Sequence, residues 1–130
     1  VGWPACGEID IMEYRGQQPN TVNGALHGPG YSGGQSLYGG YTKPGAGFDE
    51  GFHVFAVQWQ PTSITWYVDD QPFMTREATD LPGGSTWVFN HPFFILLNVA
   101  VGGNYVGPPD GTTDFPQTML VDWVRVYGAP

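Results

Sequence analysis

Basic side chains are scarce in this sequence: 4 Lys and Arg stand against 12 Asp and Glu, for a formal net charge of -8 over 130 residues. So acidic a surface repels a phosphate backbone, which excludes nucleic acid as a partner. Long apolar runs are also lacking. The longest, Pro92 to Leu97, falls far short of the roughly 20 residues a spanning helix needs, so no membrane partner is expected. Cysteine occurs once, at Cys6, which rules out an intrachain disulfide. No cation flanks Cys6 to activate its thiol, and it reads as a small packing residue. A sustained 3.6-residue periodicity is missing as well, and with it the case for a helical protein. No charged-then-apolar leader opens the chain, but a mature secreted protein would have lost one, so this decides little.

What the sequence does contain is 15% aromatic residues and 20 glycines, with only 12% of residues charged. Few charges with many aromatics and turn formers suit an extracellular all-β protein. Alternation recurs along the chain. FHVFAVQWQ places His53, Phe55, Val57 and Trp59 on one face, and SITWYVD groups Ile64, Trp66 and Val68. Gln60-Pro61-Thr62 predicts a hairpin between these strands, and Asp69-Asp70-Gln71-Pro72 the next turn, ahead of PFMT. Residues 93–101, FFILLNVAV, predict a strand covered on both faces, and residues 118–127, TMLVDWVRVY, a last strand. The Gly-, Pro-, Ser- and Thr-rich stretches Gly28 to Gly51 and Gly102 to Phe115 read as long loops. The length suits one domain, and the pattern a sandwich of about six to eight strands.

Against this background GEIDIMEYRG, residues 7–16, is anomalous. It sets Glu8, Asp10 and Glu13 into an apolar, strand-forming stretch. Glu8 and Asp10 share a face, whereas Glu13 at odd spacing points the other way. A β-bulge at Ile11 or Met12 would shift the parity and bring all three acids to one surface. Crowded there, at least one of them must titrate high. A carboxylate nucleophile beside a protonated carboxylic acid is the pair that glycoside hydrolysis uses. The residues alone leave two other readings open, a Ca²⁺ site and a solvated acidic edge.

WPACGEIDIMEYRG also resembles the active-site signature of family 16 of the glycoside hydrolases. Its six-residue form, Glu8 to Glu13, is similar to that of the laminarinase branch, the endo-1,3-β-glucanases. The likeness continues through ALHGPGYSGG, FHVFAVQWQPTSITWYVDDQPF, FFILLNVAVGGNYVG and MLVDWVRVY. It implies an antiparallel β-sandwich, a jelly roll of the concanavalin A-like kind, with a glucan cleft on its concave face. It further implies that residues 1–130 form the C-terminal part of a catalytic domain, because the family places further strands ahead of the signature. The expected partners are therefore a β-glucan polysaccharide and either a complementary N-terminal fragment or a strand-exchanged copy.

The resemblance gives Glu8 the role of nucleophile, Asp10 that of assisting acid and Glu13 that of acid/base in a retaining endo-glycosidase. That enzyme would cut β-1,3- or mixed-linked β-1,3-1,4-glucan, need no cofactor for catalysis and be secreted. Trp3 becomes a candidate glucose platform, with a core aromatic as the plainer reading, and His27 a residue on the leaving-group side. Trp59 alternates with core residues, although the family sometimes uses it in the cleft. Asn98 interrupts an apolar strand, where a buried amide must bond either to ligand or to an internal network. Trp87 and Tyr105 are candidate outer platforms, while His53 and His91 read as structural. Asp122 occupies a position that some members use for a structural calcium. A different class of function, a non-catalytic β-glucan-binding or assembly module, remains the alternative.

Overall fold

The computed structural model describes residues 1–128. The chain divides into two units, Val1–Phe93 and Phe94–Pro130. The first holds two three-stranded antiparallel sheets. In one, β1 (Glu8–Tyr14), β2 (Thr21–His27) and β3 (Leu37–Thr42) lie in that order; in the other, β4 (Phe55–Gln60), β5 (Ser63–Val68) and β6 (Gln71–Glu77) do. The core lies between them. Leu26 of β2, Ile64 and Trp66 of β5 and Met74 of β6 meet Tyr31 and Phe89 in one cluster, and Val22, Phe48 and Val68 form a second. β5 shows the alternation most plainly: Ile64, Trp66 and Val68 are buried and Ser63, Thr65 and Tyr67 are partly exposed, as a strand with one core-facing side requires.

The turns follow from local chemistry. Gln60 pairs with Ser63, leaving Pro61 and Thr62 as a two-residue hairpin loop. Val68 pairs with Gln71 across Asp69 and Asp70, whose φ angles of 48° and 66° give the left-handed turn that matches strand twist. The turn is thus two residues long, and Gln71 and Pro72 already belong to β6. β4 starts at Phe55 rather than Phe52, because Asp69 engages the residues before it. Val54 N donates to Asp69 Oδ1 at 2.9 Å, and His53 Nδ1 lies 2.7 Å from Asp69 Oδ2. His53 is structural, as expected.

Two expectations fail. Residues 28–51 are not one long loop, since LYGGYT forms β3 within them. Its glycines are packing residues. A Cβ on Gly39 would lie 2.6 Å from Met74 Sδ, and one on Gly40 2.7 Å from Asn23 Oδ1. Residues 93–101 and 118–127 form no strands among the described residues. A strand exists only within a ladder that satisfies its backbone groups, and neither segment has such a neighbour here. Phe93 packs beside the core of the first unit, but the rest of both segments belongs to the second unit and is exposed, Phe94 and Val126 each to 81%. The second unit's local order lies in turns, such as the one where Asp110 Oδ1 accepts from Thr112 N at 2.8 Å.

Candidate active site

β1 opens immediately after Gly7. That residue has φ of 72°, and a Cβ there would come within 3.1 Å of Phe93 and Val88 side chains, so a bare, left-handed backbone is needed to enter the strand. Along β1, Glu8 pairs with His27, Asp10 with Ala25 and Glu13 with Asn23, and the register shifts between Asp10 and Glu13. The partners 27, 25 and 23 are successive alternate residues of β2. All three acids therefore share one face, because an extra residue resets the parity at Ile11–Met12 as the spacing predicts.

A bulge breaks the ladder and leaves backbone groups to be satisfied elsewhere. Trp66 of the opposite sheet meets this need: its Nε1 donates to Asp10 O at 2.8 Å. The indole reaches that carbonyl because residue 24 is glycine; a Cβ there would sit 2.4 Å from Trp66 Cδ1 and Nε1. The core thus holds the acid strand from beneath at the point where its side chains are re-aimed.

The side chains above form a connected group. Trp3 Nε1 donates to Glu8 Oε2, and the Trp3 ring leans over His27 with centroids 6.0 Å apart. His27 Nδ1 accepts from Gly33 N at 3.0 Å, which places the ring proton on Nε2. Nε2 lies 3.0 Å from Asp10 Oδ2, close in distance but poorly directed, so this buried oxygen lacks a well-formed hydrogen bond. Burial pushes the Asp10 carboxyl up to about 8, and the charges of Glu8 and Glu13 and a hydrogen bond to Glu8 push the same way. Asp10 is accordingly protonated at neutral pH and donates to Glu8. Glu13 is also raised: burial is the main cause and the Glu8 charge adds to it, against the opposing pull of His27 and Arg15. One face thus presents an acceptor carboxylate, Glu8, receiving two donors, beside a carboxyl that holds its proton above the ordinary range.

The Asp10 proton has a measurable consequence for folding. The unfolded chain loses it near the ordinary value of 3.8, while the folded state keeps it until about 8. Its contribution to stability is therefore full below about pH 4 and is lost as the pH rises through about 8. Asp10→Asn should flatten this dependence. Thermal melts from pH 5 to 9 should show wild type losing several degrees that the variant keeps; parallel curves would contradict the buried-proton account.

The other sequence candidates distribute as follows. Trp3 and His27 join the acids. Trp59 stands on β4, in the other sheet; its Nε1 donates to Phe89 O at 2.7 Å, and it walls a pocket of about 290 Å³ with Gln60, Pro61, Phe89, Asn90 and His91. Among the described residues its hydrogen bond and ring contact go to Phe89 and Phe93, not to the three acids. Trp87 is not an open platform, since it packs edge-on against Phe89 at 4.9 Å, beside the core. His91 is structural, with its ring nitrogens on Pro92 O and Cys6 O. Asn98 is exposed, not buried, and belongs to the second unit with Tyr105 and Asp122. Asp122 is exposed as well, and among the described residues no group of three or more His, Cys, Asp or Glu is placed to hold a metal ion. Sequence reasoning missed Asn23 opposite Glu13, though alternation in TVNGALH puts Asn23, Ala25 and His27 on one face. It also missed Trp66 as the group beneath the bulge, a contact that spans 56 positions of sequence.

Comparisons with known proteins bear on the family and the fold. The family profile described as "Glycosyl hydrolases family 16" matches residues 2–125. A glucan endo-1,3-beta-glucosidase A1 of Niallia circulans is 41% identical to this chain, over 96% of it and 20% of the relative. A beta-glucanase of Rhodothermus marinus is 39% identical, over 96% of this chain and 46% of its own. Among solved structures, the endo-beta-1,3-glucanase from Pyrococcus furiosus superposes with a TM-score of 0.85 at 50% identity, covering 89% of this chain and 45% of that one. The chain thus spans less than half the length of each of these proteins. The two antiparallel sheets and this likeness together establish the expected all-β, jelly-roll-type sandwich, of which the chain holds part.

Proposed function

This chain belongs to glycosyl hydrolases family 16, and from that premise we propose that it carries the reacting strand of a retaining endo-glycosidase acting on β-1,3-glucan or mixed-linked β-1,3-1,4-glucan. The observation that carries the reading is the bulge between Asp10 and Glu13, which sets the three carboxyls on one face. The raised Asp10 and Glu13 protons support it further. In this reading Glu8 attacks the anomeric carbon while Glu13 gives its proton to the departing glycosidic oxygen, and a glycosyl ester forms on Glu8. Glu13, now ionised, takes a proton from water, whose oxygen attacks the same carbon and releases Glu8. Asp10 donates to Glu8 and tempers the charge on it as the ester forms and breaks. The chemistry uses carboxyl groups alone and requires no cofactor. The names of the relatives, endo-1,3-glucosidase and β-glucanase, suggest the substrate.

Residues 1–130 are, on the same reading, the C-terminal part of a catalytic domain that a preceding segment, or a second copy of the chain, completes. The share of each relative that the chain spans supports this, as do the exposed apolar side chains of the second unit. A polymeric glucan is met outside the cell, which favours secretion. The test is hydrolysis of laminarin by the intact protein, followed by proton NMR of the first-formed reducing ends. Retention predicts the β-anomer. An α-anomer would overturn the double displacement, and absence of any reducing-end release would overturn the assignment as an enzyme.

A further inference from the structure

The face that bears the acids continues across the sheet onto β3. Residues paired directly across antiparallel strands share a face. Asp10 pairs with Ala25, and Ala25 with Tyr38, so the three form one row. On β3, Leu37 packs inward against the cluster around Trp66, and Tyr41 packs against Phe48 and Phe73. Tyr38 therefore points outward, and it is 63% exposed. Only the methyl of Ala25 stands between it and Asp10 in that row. In the neighbouring row Glu13 pairs with Asn23 and Asn23 with Gly40, so no β3 side chain stands beside Tyr38 in that row, and the Asn23 amide lies over Gly40 instead.

An exposed aromatic is unremarkable by itself, but this one stands on a fixed base. Arg76 Nη2, from β6, donates to Tyr38 O at 2.7 Å, and Met74 Sδ fills the space beneath Gly39. Two strand spacings of about 4.8 Å put Tyr38 about 10 Å from the acid strand, the reach of a disaccharide. We propose that Tyr38 is a stacking platform for a glucosyl ring of the β-glucan, two rings from the bond that is cut. The inference rests on the glucan hydrolase reading. The phenol ring offers its negative face to the C–H faces of a pyranose, and its hydroxyl can exchange hydrogen bonds with the sugar. Tyr38 is a binding residue in this scheme and takes no part in proton transfer.

The test uses β-1,3-gluco-oligosaccharides of increasing length, with kcat/KM measured in the intact protein and affinity measured by titration. Tyr38→Ala should lose about tenfold in kcat/KM on a hexasaccharide and much less on a trisaccharide, with the loss appearing mainly in KM, and Tyr38→Trp should restore it. An equal loss at every length would indicate a folding defect and overturn the platform, and so would no loss at any length. If wild type hydrolyses these glucans while the length dependence of the variant is unchanged, this inference fails alone. If wild type binds them without cutting, the same comparison is made on affinity, and there too an unchanged length dependence overturns the platform. Neither binding nor hydrolysis by wild type would overturn both readings.

Discussion

Glu8→Gln should lose hydrolysis by on the order of 10⁴-fold or more while laminarin binding changes little. The amide keeps the size and shape of the side chain and still accepts from Trp3 Nε1, but it is no nucleophile, so the glycosyl ester cannot form. The effect should appear wholly in kcat, because Glu8 bonds to the sugar only as the anomeric carbon becomes electrophilic. Steady-state kinetics beside equilibrium titration with laminarin separates the two quantities. Residual activity within a hundredfold of wild type would remove Glu8 from the nucleophile's role. A parallel collapse of binding would indicate instead that the side chain supports the fold of the β1 entry beside Gly7.

Glu13→Ala should show an effect graded by leaving group. With natural glucan, where the departing oxygen needs a proton, the loss should approach that of Glu8→Gln. With an aryl glycoside whose phenol leaves unaided, the first step should proceed and the second should stall for want of a base. Azide supplies a nucleophile that needs no deprotonation, so its addition should restore turnover and yield the β-configured glycosyl azide. An α-configured azide, or no rescue on an activated substrate, would contradict the two-step scheme. The contrast with Asp10 is instructive. Asp10 has the larger upward displacement of the two, yet its proton is turned toward Glu8, so loss of Asp10 should impair both substrate types alike.

The parts of the molecule legible in the sequence are those whose signals are local. Ser63–Val68 alternates without exception, and its burial follows residue by residue. Glu8, Asp10 and Glu13 could be read as a group because the odd spacing between 10 and 13 demands either a bulge or a wasted acid. β3 was hidden because Gly39 and Gly40 read as turn formers, whereas they are small to admit Met74 and Asn23. The apolar runs from Phe93 onward mislead for the opposite reason. Hydrophobicity states that a segment wants cover but does not supply the neighbouring strand, and among the described residues no ladder forms there. Trp66 read as core from its alternation, correctly, but nothing local reveals that its N–H serves a carbonyl on another sheet. Tyr38 escaped notice because its meaning lies in the row it shares with Ala25 and Asp10, which only the register discloses.

The contact of Trp66 with Gly24 restricts how this protein can be engineered. Replacing a strand glycine with alanine is a common route to heat tolerance, since it removes freedom from the unfolded chain. At position 24 that route is closed, because the added methyl would collide with the indole at 2.4 Å. The usual repair, a smaller residue at position 66, would clear the space but remove the N–H that Asp10 O depends on, leaving an unsatisfied carbonyl at a cost of about 1–3 kcal/mol directly under the acids. Positions 24 and 66 therefore vary only as a pair, and every pairing that relieves the crowding costs the acid strand its anchor. A library aimed at thermostability should leave both untouched and draw its gains from the far ends of the sheets.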